Sequence, residues 1–117
     1  MYICSMYSRE LLKGVLKPII FKLLSENDKM YGYEITQTVK KISGNKILIK
    51  EGSLYPALHA LTKEGFLEVE SVAVGNRVRK YYSLTKNGKT QVAPVLDELL
   101  EFSATLQTVF QQKTVLP

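Results

Sequence analysis

The residues able to do chemistry are few in this sequence. Its 117 residues include one histidine, His59, and one cysteine, Cys4. Structural zinc and iron sites draw on several His or Cys ligands, and nucleophilic catalysis needs a base beside its nucleophile. One residue of each kind assembles neither, so no metal site, no catalytic group and no internal disulfide is expected. No glycine loop of the phosphate- or dinucleotide-binding type occurs, and no cofactor is expected. The carboxylates Glu68/Glu70 and Asp97/Glu98/Glu101 fall on one strand face and on the solvent side of a helix, where they serve solubility better than catalysis. An enzyme is not expected.

Positive charge and hydroxyl groups are what the sequence does offer. Lys and Arg number 16 against 11 Asp and Glu, a net charge of +5. Between Glu70 and Asp97 there is no acid, whereas Arg77, Arg79, Lys80, Lys86 and Lys89 supply five cations. From Asp97 to Pro117 the balance reverses, with three acids and one Lys. Charge concentrated on Arg77, Arg79 and Lys80, next to Asn76, suits a hairpin tip that straddles a phosphate backbone, although a solvated hairpin has the same composition.

A second string, Glu51 to His59, offers Ser53 and Tyr55 hydroxyls at the start of a helix, with Pro56 beside them and His59 and Lys63 continuing the exposed face. A helix entering the major groove presents such groups to phosphates and base edges, and its free first-turn N–H groups suit a phosphate. An ordinary surface helix with Tyr55 packed on a neighbour is the competing reading. In a third string, Lys29 to Glu34, Tyr33 can touch a backbone or cover the core. Burial against the helix that carries Tyr55 is expected for Tyr31.

Periodicity supplies the elements that must position these groups. Leu12, Val15, Leu16, Ile19, Ile20, Leu23 and Leu24 form a helical stripe from about Arg9 to Ser25, in which Pro18 marks either a kink or a helix start. Glu26 to Lys29 reads as a loop. Gly32 opens a second helix with Tyr33, Ile35, Val39 and Ile42 on one face, stopped by Ser43-Gly44-Asn45. Lys46 to Lys50 is too short for a helix and reads as a small strand. A third helix runs from about Ser53, its N-cap, to Glu64, with Pro56 in the first turn, Leu54, Leu58 and Leu61 inward, and Gly65 at C′. Phe66–Ala73 and Val78–Leu84 alternate around Gly75-Asn76, a hairpin signal.

Thr85 to about Gln112 is a long helix. Val92, Val95, Leu99, Phe102, Leu106 and Val109 step by three and four along it, and Leu96, Leu100, Ser103 and Phe110 widen that seam. So much apolar surface on a solitary helix predicts a partner, most simply a second copy of the chain. No segment approaches the ~20 apolar residues of a membrane span; the best, Val15 to Leu24, is cut by Lys17, Pro18 and Lys22. Met1 to Ser8 lacks the pattern of a signal peptide, and a cytoplasmic location is expected. Apolar residues at 45% and charged residues at 23% match one ordinary globular domain.

The strings Met30-Tyr31-Gly32-Tyr33-Glu34-Ile35, Gly52-Ser53-Leu54-Tyr55-Pro56-Ala57-Leu58, Glu64-Gly65-Phe66-Leu67 and Arg79-Lys80-Tyr81-Tyr82-Ser83-Leu84-Thr85, with Gly88, together resemble the PadR family of bacterial transcriptional regulators. The likeness runs from about Leu11 to Gln112. It implies a homodimeric repressor on an inverted-repeat operator in double-stranded DNA. Ser53, Tyr55 and Pro56 then fall at the start of the recognition helix, Arg77, Arg79 and Lys80 on the wing, and Tyr33 where the second helix approaches phosphate. The last helix matches the family's dimerisation helix. Some PadR-like repressors hold flat aromatic drugs between tryptophans of the two protomers; this sequence has no Trp, and Leu99 stands at the matching position.

The expected fold is therefore mainly α. It is a winged helix-turn-helix (helix, helix, short strand, helix, β-hairpin wing) over residues 9–84, then a long C-terminal dimerisation helix over 85–112. Residues 1–8 and 113–117 are expected to be mobile termini. The expected function is promoter occlusion, relieved by a small-molecule inducer of unknown identity or a stress signal. The alternative is a ligand-sensing or protein-interaction adaptor whose winged helix does not bind DNA, and pairing of the hairpin cations with Glu68 and Glu70 would favour it.

Overall fold

The structure, a computed structural model, describes residues 7–117; Cys4 lies outside them. A short helix α1 (Arg9–Lys13) is capped by Ser8, whose hydroxyl accepts from the Leu11 N–H at 3.3 Å. The chain turns at Gly14 and Val15 and restarts as α2 (Leu16–Glu26). Pro18 is thus the third residue of a new helix, where its missing N–H costs nothing, so of the two readings of Pro18 the helix start holds and the kink does not. α2 is the central core helix, with Ile20 and Phe21 completely buried.

The small strand lies elsewhere than expected. Lys46 to Lys50 has no regular structure, whereas Met30–Tyr31 forms β1 and pairs antiparallel with β3 (Arg77–Leu84), Met30 facing Tyr82 and Tyr31 facing Tyr81. A strand needs a free sheet edge. With β2 (Leu67–Val74) on one side of β3 and β1 on the other, the sheet order is β1-β3-β2, and the other edge of β3 is taken. Ile47 and Ile49 instead plug the 46–50 connection into the core.

Helix α3 (Gly32–Ile42) begins where the Tyr31 N–H donates to Glu34 Oε1 at 3.1 Å. Its buried face carries Ile35, Thr36 and Val39, while Tyr33 and Ile42 are exposed, contrary to the single face expected. Two residues advance a helix by about 200°, so Tyr33 and Ile35 cannot share a side; Ile42 belongs to the inner stripe but lies in the last turn, past the core. Gly44 and Asn45 both adopt positive φ to end the helix.

Helix α4 (Glu51–Lys63) starts earlier than the sequence indicates. Lys50 is its N-cap residue and its carbonyl accepts from the Ser53 and Leu54 N–H groups at 3.0 Å, so Ser53 is not the cap but the third helical residue. Pro56 is correspondingly the sixth residue, beyond the first turn, and the bond it forfeits is to the carbonyl of exposed Gly52. Leu54, Leu58 and Leu61 are buried as expected, and Gly65 takes φ +86° at the exit. Gly75, at φ +63°, makes the two-residue turn between β2 and β3.

Helix α5 (Lys86–Gln111) runs unbroken through Pro94. Thr85 caps it, accepting from the Gly88 N–H at 3.0 Å and donating its hydroxyl hydrogen to the Gly65 carbonyl at 2.6 Å. The Thr85 N–H also donates to the Phe66 carbonyl at 3.0 Å, so the start of α5 is tied to the exit of α4. α5 packs along α2 through its first half, and Val92 and Val95 cover the core. The second half projects, which accounts for a radius of gyration of 16.6 Å where about 13 Å suits a compact domain of about 100 residues.

Candidate nucleic-acid interface

The wing and the N-terminal turns of α4 enclose an open cleft of about 650 Å³. Tyr31, Tyr33 and Tyr55 line it together with Arg77, Arg79 and Lys80, and Glu51 is in the lining too. Three phenols and three cations around one open groove can receive a phosphodiester backbone: the cations by charge, the hydroxyls by hydrogen bonds. Glu51 is the one acid there; at the first position of α4 it is favoured by the helix dipole and works against an anion in the cleft.

Tyr55 reaches this place because Gly32 lets it. A methyl group at Gly32 would sit 2.5 Å from the Tyr55 hydroxyl oxygen, so the Tyr55 ring holds this position only with hydrogen there. Tyr55 is half-buried, its ring 6.4 Å from that of exposed His59. Ser53 is half-buried in the first turn, and Pro56, His59 and Lys63 lie exposed along the outer side of α4, Lys63 at its end. Tyr33, 57% exposed, lines the cleft from the first turn of α3.

On the wing, Asn76 and Arg77 are exposed at the tip and Lys80 is exposed on β3. Arg79 is different. Its guanidinium carbon lies 4.1 Å from the centre of the Tyr31 ring, and the Tyr31 and Tyr81 rings meet edge-on at 5.4 Å. Its pKa is raised above the ordinary arginine value, first by a side-chain hydrogen bond with Tyr81, with desolvation opposing and Tyr31, Tyr81 and Glu34 adding smaller Coulombic support. Lys29 lies 5.1 Å from the Tyr81 ring centre and 3.6 Å from Glu70. Among the described residues the cation paired with Glu70 is thus Lys29, and no ion pair joins Arg77, Arg79 or Lys80 to Glu68 or Glu70.

Residues 20–94 match the transcriptional regulator PadR-like family. The chain belongs to the PadR-like family of transcriptional regulators. It is 35% identical over 98 residues to an uncharacterised protein of Lysinibacillus sphaericus, covering 82% of this chain and 88% of that one. It is also 35% identical over 79 residues to the negative transcriptional regulator PadR of Bacillus subtilis, covering 67% of this chain and 43% of that protein. The chain thus spans less than half of that regulator's length. Among solved structures it is similar to a transcriptional regulator from Clostridium thermocellum, with TM-score 0.74, 28% identity, and 92% and 100% of the two chains covered. It is likewise similar to B. subtilis PadR in complex with operator DNA, with TM-score 0.60, 28% identity, and 88% and 50% covered.

In this PadR-like chain the cleft gathers Tyr33, Tyr55, Arg77, Arg79 and Lys80, drawn from three separate strings of the sequence. It leaves out Ser53, Pro56, His59 and Lys63 of α4 and Asn76 of the wing tip. The sequence points to burial of Tyr31 against α4; the structure places it half-buried under Arg79 on the sheet. The alternation along β3 carries that signal, since Arg79 and Tyr81 share a strand face. What the sequence does not show is β1, which sets Tyr31 opposite Tyr81.

The apolar seam of α5 divides in two. Val92, Val95, Leu96 and Leu99 are half-buried, and the last two line an apolar groove of about 240 Å³ with Pro18, Ile19 and Ile42. Farther along, Leu106 is half-buried, while Phe102, Val109 and Phe110 are 56%, 60% and 80% exposed.

Proposed function

We propose that this chain is a homodimeric repressor that binds an inverted-repeat operator in double-stranded DNA and blocks a promoter. The cleft between α4 and the wing carries the reading. Three cations there share the lining with three tyrosines and, among the described residues, no ion pair to Glu68 or Glu70 cancels them; the chain is moreover similar to a PadR seen with operator DNA. Ser53, Tyr55, Pro56, His59 and Lys63 would face the major groove, Asn76, Arg77, Arg79 and Lys80 the adjoining backbone, and Tyr33 a phosphate.

The exposed apolar face on the second half of α5 supports pairing with a second copy, since Phe102, Val109 and Phe110 lie exposed together on one projecting helix. Two-fold pairing puts half-sites about 34 Å apart, one turn of duplex. Release by a small ligand or a stress signal would act by changing the spacing of the two α4 helices, and the protein would work in the cytoplasm.

The test is a footprint on DNA upstream of the chain's own reading frame, with a salt titration. Arg77→Ala and Lys80→Ala are expected to weaken binding to every duplex and to lower the salt slope by about one unit for each phosphate left without its cation. Unchanged affinity and slope in both variants would remove the wing from the interface and favour the adaptor reading.

A further inference from the structure

Lys29, Tyr31, Arg79 and Tyr81 form a layered group on the solvent face of the sheet, and its two cations are in different situations. Lys29 is compensated by Glu70 at 3.6 Å. Among the described residues Arg79 has no carboxylate within ion-pair distance, and Glu34, the acid that influences it from farther off, is occupied in accepting from the Tyr31 N–H. Arg79 is nevertheless the most constrained cation of the wing, since one aromatic face lies under its guanidinium at 4.1 Å and the edge of a second ring braces the first. A guanidinium held over a ring face directs its N–H donors away from that ring; Arg79 shares one with Tyr81, and the others are the kind that grip a phosphate. The cation is fixed, uncompensated, and set in the wall of the cleft.

We infer that Tyr31 and Tyr81 are positioning residues that hold Arg79 ready for a backbone phosphate entering the cleft between α4 and the wing. The inference rests on the DNA-binding reading and adds to it a division of labour. Arg77 and Lys80 are exposed side chains that attract the backbone by charge alone. Arg79 arrives with its conformation already selected, so less freedom is lost when the phosphate binds. The strand register makes the frame possible: Tyr31 and Tyr81 are direct cross-strand partners, and Arg79 lies two residues from Tyr81 on the same face.

The experiment uses the full chain and a mixed-sequence duplex of about three helical turns, with affinity measured against salt. Tyr31→Leu is expected to weaken binding about two- to fivefold, the worth of an exposed cation–aromatic contact, with the salt slope unchanged because no charge has been removed. Tyr31→Phe, which keeps the ring, should recover most of that loss. In an Arg79→Ala background Tyr31→Leu should cost nothing further. Equal losses with and without Arg79 would show that Tyr31 acts on the fold rather than through the cation, and overturn the inference. Tyr81→Phe deletes a single hydroxyl and gives the same comparison should Tyr31→Leu fail to fold.

A second readout needs no DNA. The Arg79 side-chain N–H resonance should carry an upfield ring-current shift that Tyr31→Leu abolishes. A chain that shows the shift and binds no duplex refutes the DNA-binding reading and the phosphate role together. A chain that binds duplex without the shift refutes only the positioning frame.

Discussion

Replacing Gly88 by alanine separates local helix preference from tertiary packing, because the two predict opposite signs. Gly88 is the third residue of α5, and in a helix alanine is favoured over glycine by up to about 1 kcal/mol. A Cβ there, however, would press directly on the Phe66 carbonyl oxygen, 3.0 Å from the carbonyl carbon and 3.2 Å from Leu84 Cδ2. The carbonyl cannot retreat freely, since it accepts the Thr85 N–H at 3.0 Å while the neighbouring Gly65 carbonyl accepts the Thr85 hydroxyl at 2.6 Å. Overpacking of this kind costs about 1–3 kcal/mol, and losing the displaced hydrogen bond adds about 1 kcal/mol. The net expectation is a destabilisation of about 1–3 kcal/mol, a fall in Tm on the order of 5–15 °C for a chain of this size. Thermal and urea unfolding of the full chain, at one fixed concentration so that self-association is constant, would measure it. A Gly88→Ala variant with an unchanged or raised Tm would mean that α5 does not dock on the 65–66 segment as described.

Two further perturbations address the core and the seam. Burial of Tyr82, 1% exposed, raises its pKa above the usual phenol value, with a smaller Coulombic contribution from Tyr55. The folded protein therefore holds that proton to higher pH than the unfolded chain does, so stability is full below about pH 10 and is lost as pH rises through the folded pKa; Tyr82→Phe should remove that part of the alkaline decline in urea titrations, and an unchanged decline would show that Tyr82 does not contribute. Leu99→Lys puts a charge into the apolar groove beside Leu96 and Ile19 and is expected to convert a dimer to monomers in sedimentation while far-ultraviolet dichroism keeps its helical form. An intact dimer would take this part of α5 out of the interface.

Most of the fold is legible in the sequence because the apolar periods are strong, and the departures share one physical origin. The Leu54, Leu58 and Leu61 stripe, the Gly75-Asn76 turn and the α5 pattern are local signals that tertiary packing reinforces. The identity of the small strand is not local. Lys46–Lys50 and Met30–Tyr31 are both short and partly apolar, and only the edge of β3 decides between them. The start of α4 is displaced for a similar reason: Ser53 has the chemistry of a cap, but the Lys50 carbonyl begins the hydrogen-bond ladder three residues earlier. The candidate site follows the same rule. Individual cations are legible on the wing, whereas the Tyr31 platform under Arg79 depends on the long-range pairing of Tyr31 with Tyr81.

The junction at Thr85 links these observations. Gly65 and Phe66 close α4, and their carbonyls receive the hydroxyl and the N–H of the residue that opens α5. The helix that would read DNA and the helix that would join two copies therefore share one hydrogen-bonded corner, with Gly88 letting α5 pass close to the Phe66 carbonyl. Such a corner would pass a displacement of α5 on to the exit of α4. A change in how two α5 helices pack would carry each α4 with it as a rigid body, and over a lever of 26 residues, about 39 Å, a tilt of a few degrees moves the far end by several ångströms. That is enough to spoil a fit to half-sites fixed about 34 Å apart. In a dimeric regulator built this way, control needs no change inside either winged helix; it needs a small change where the two copies meet.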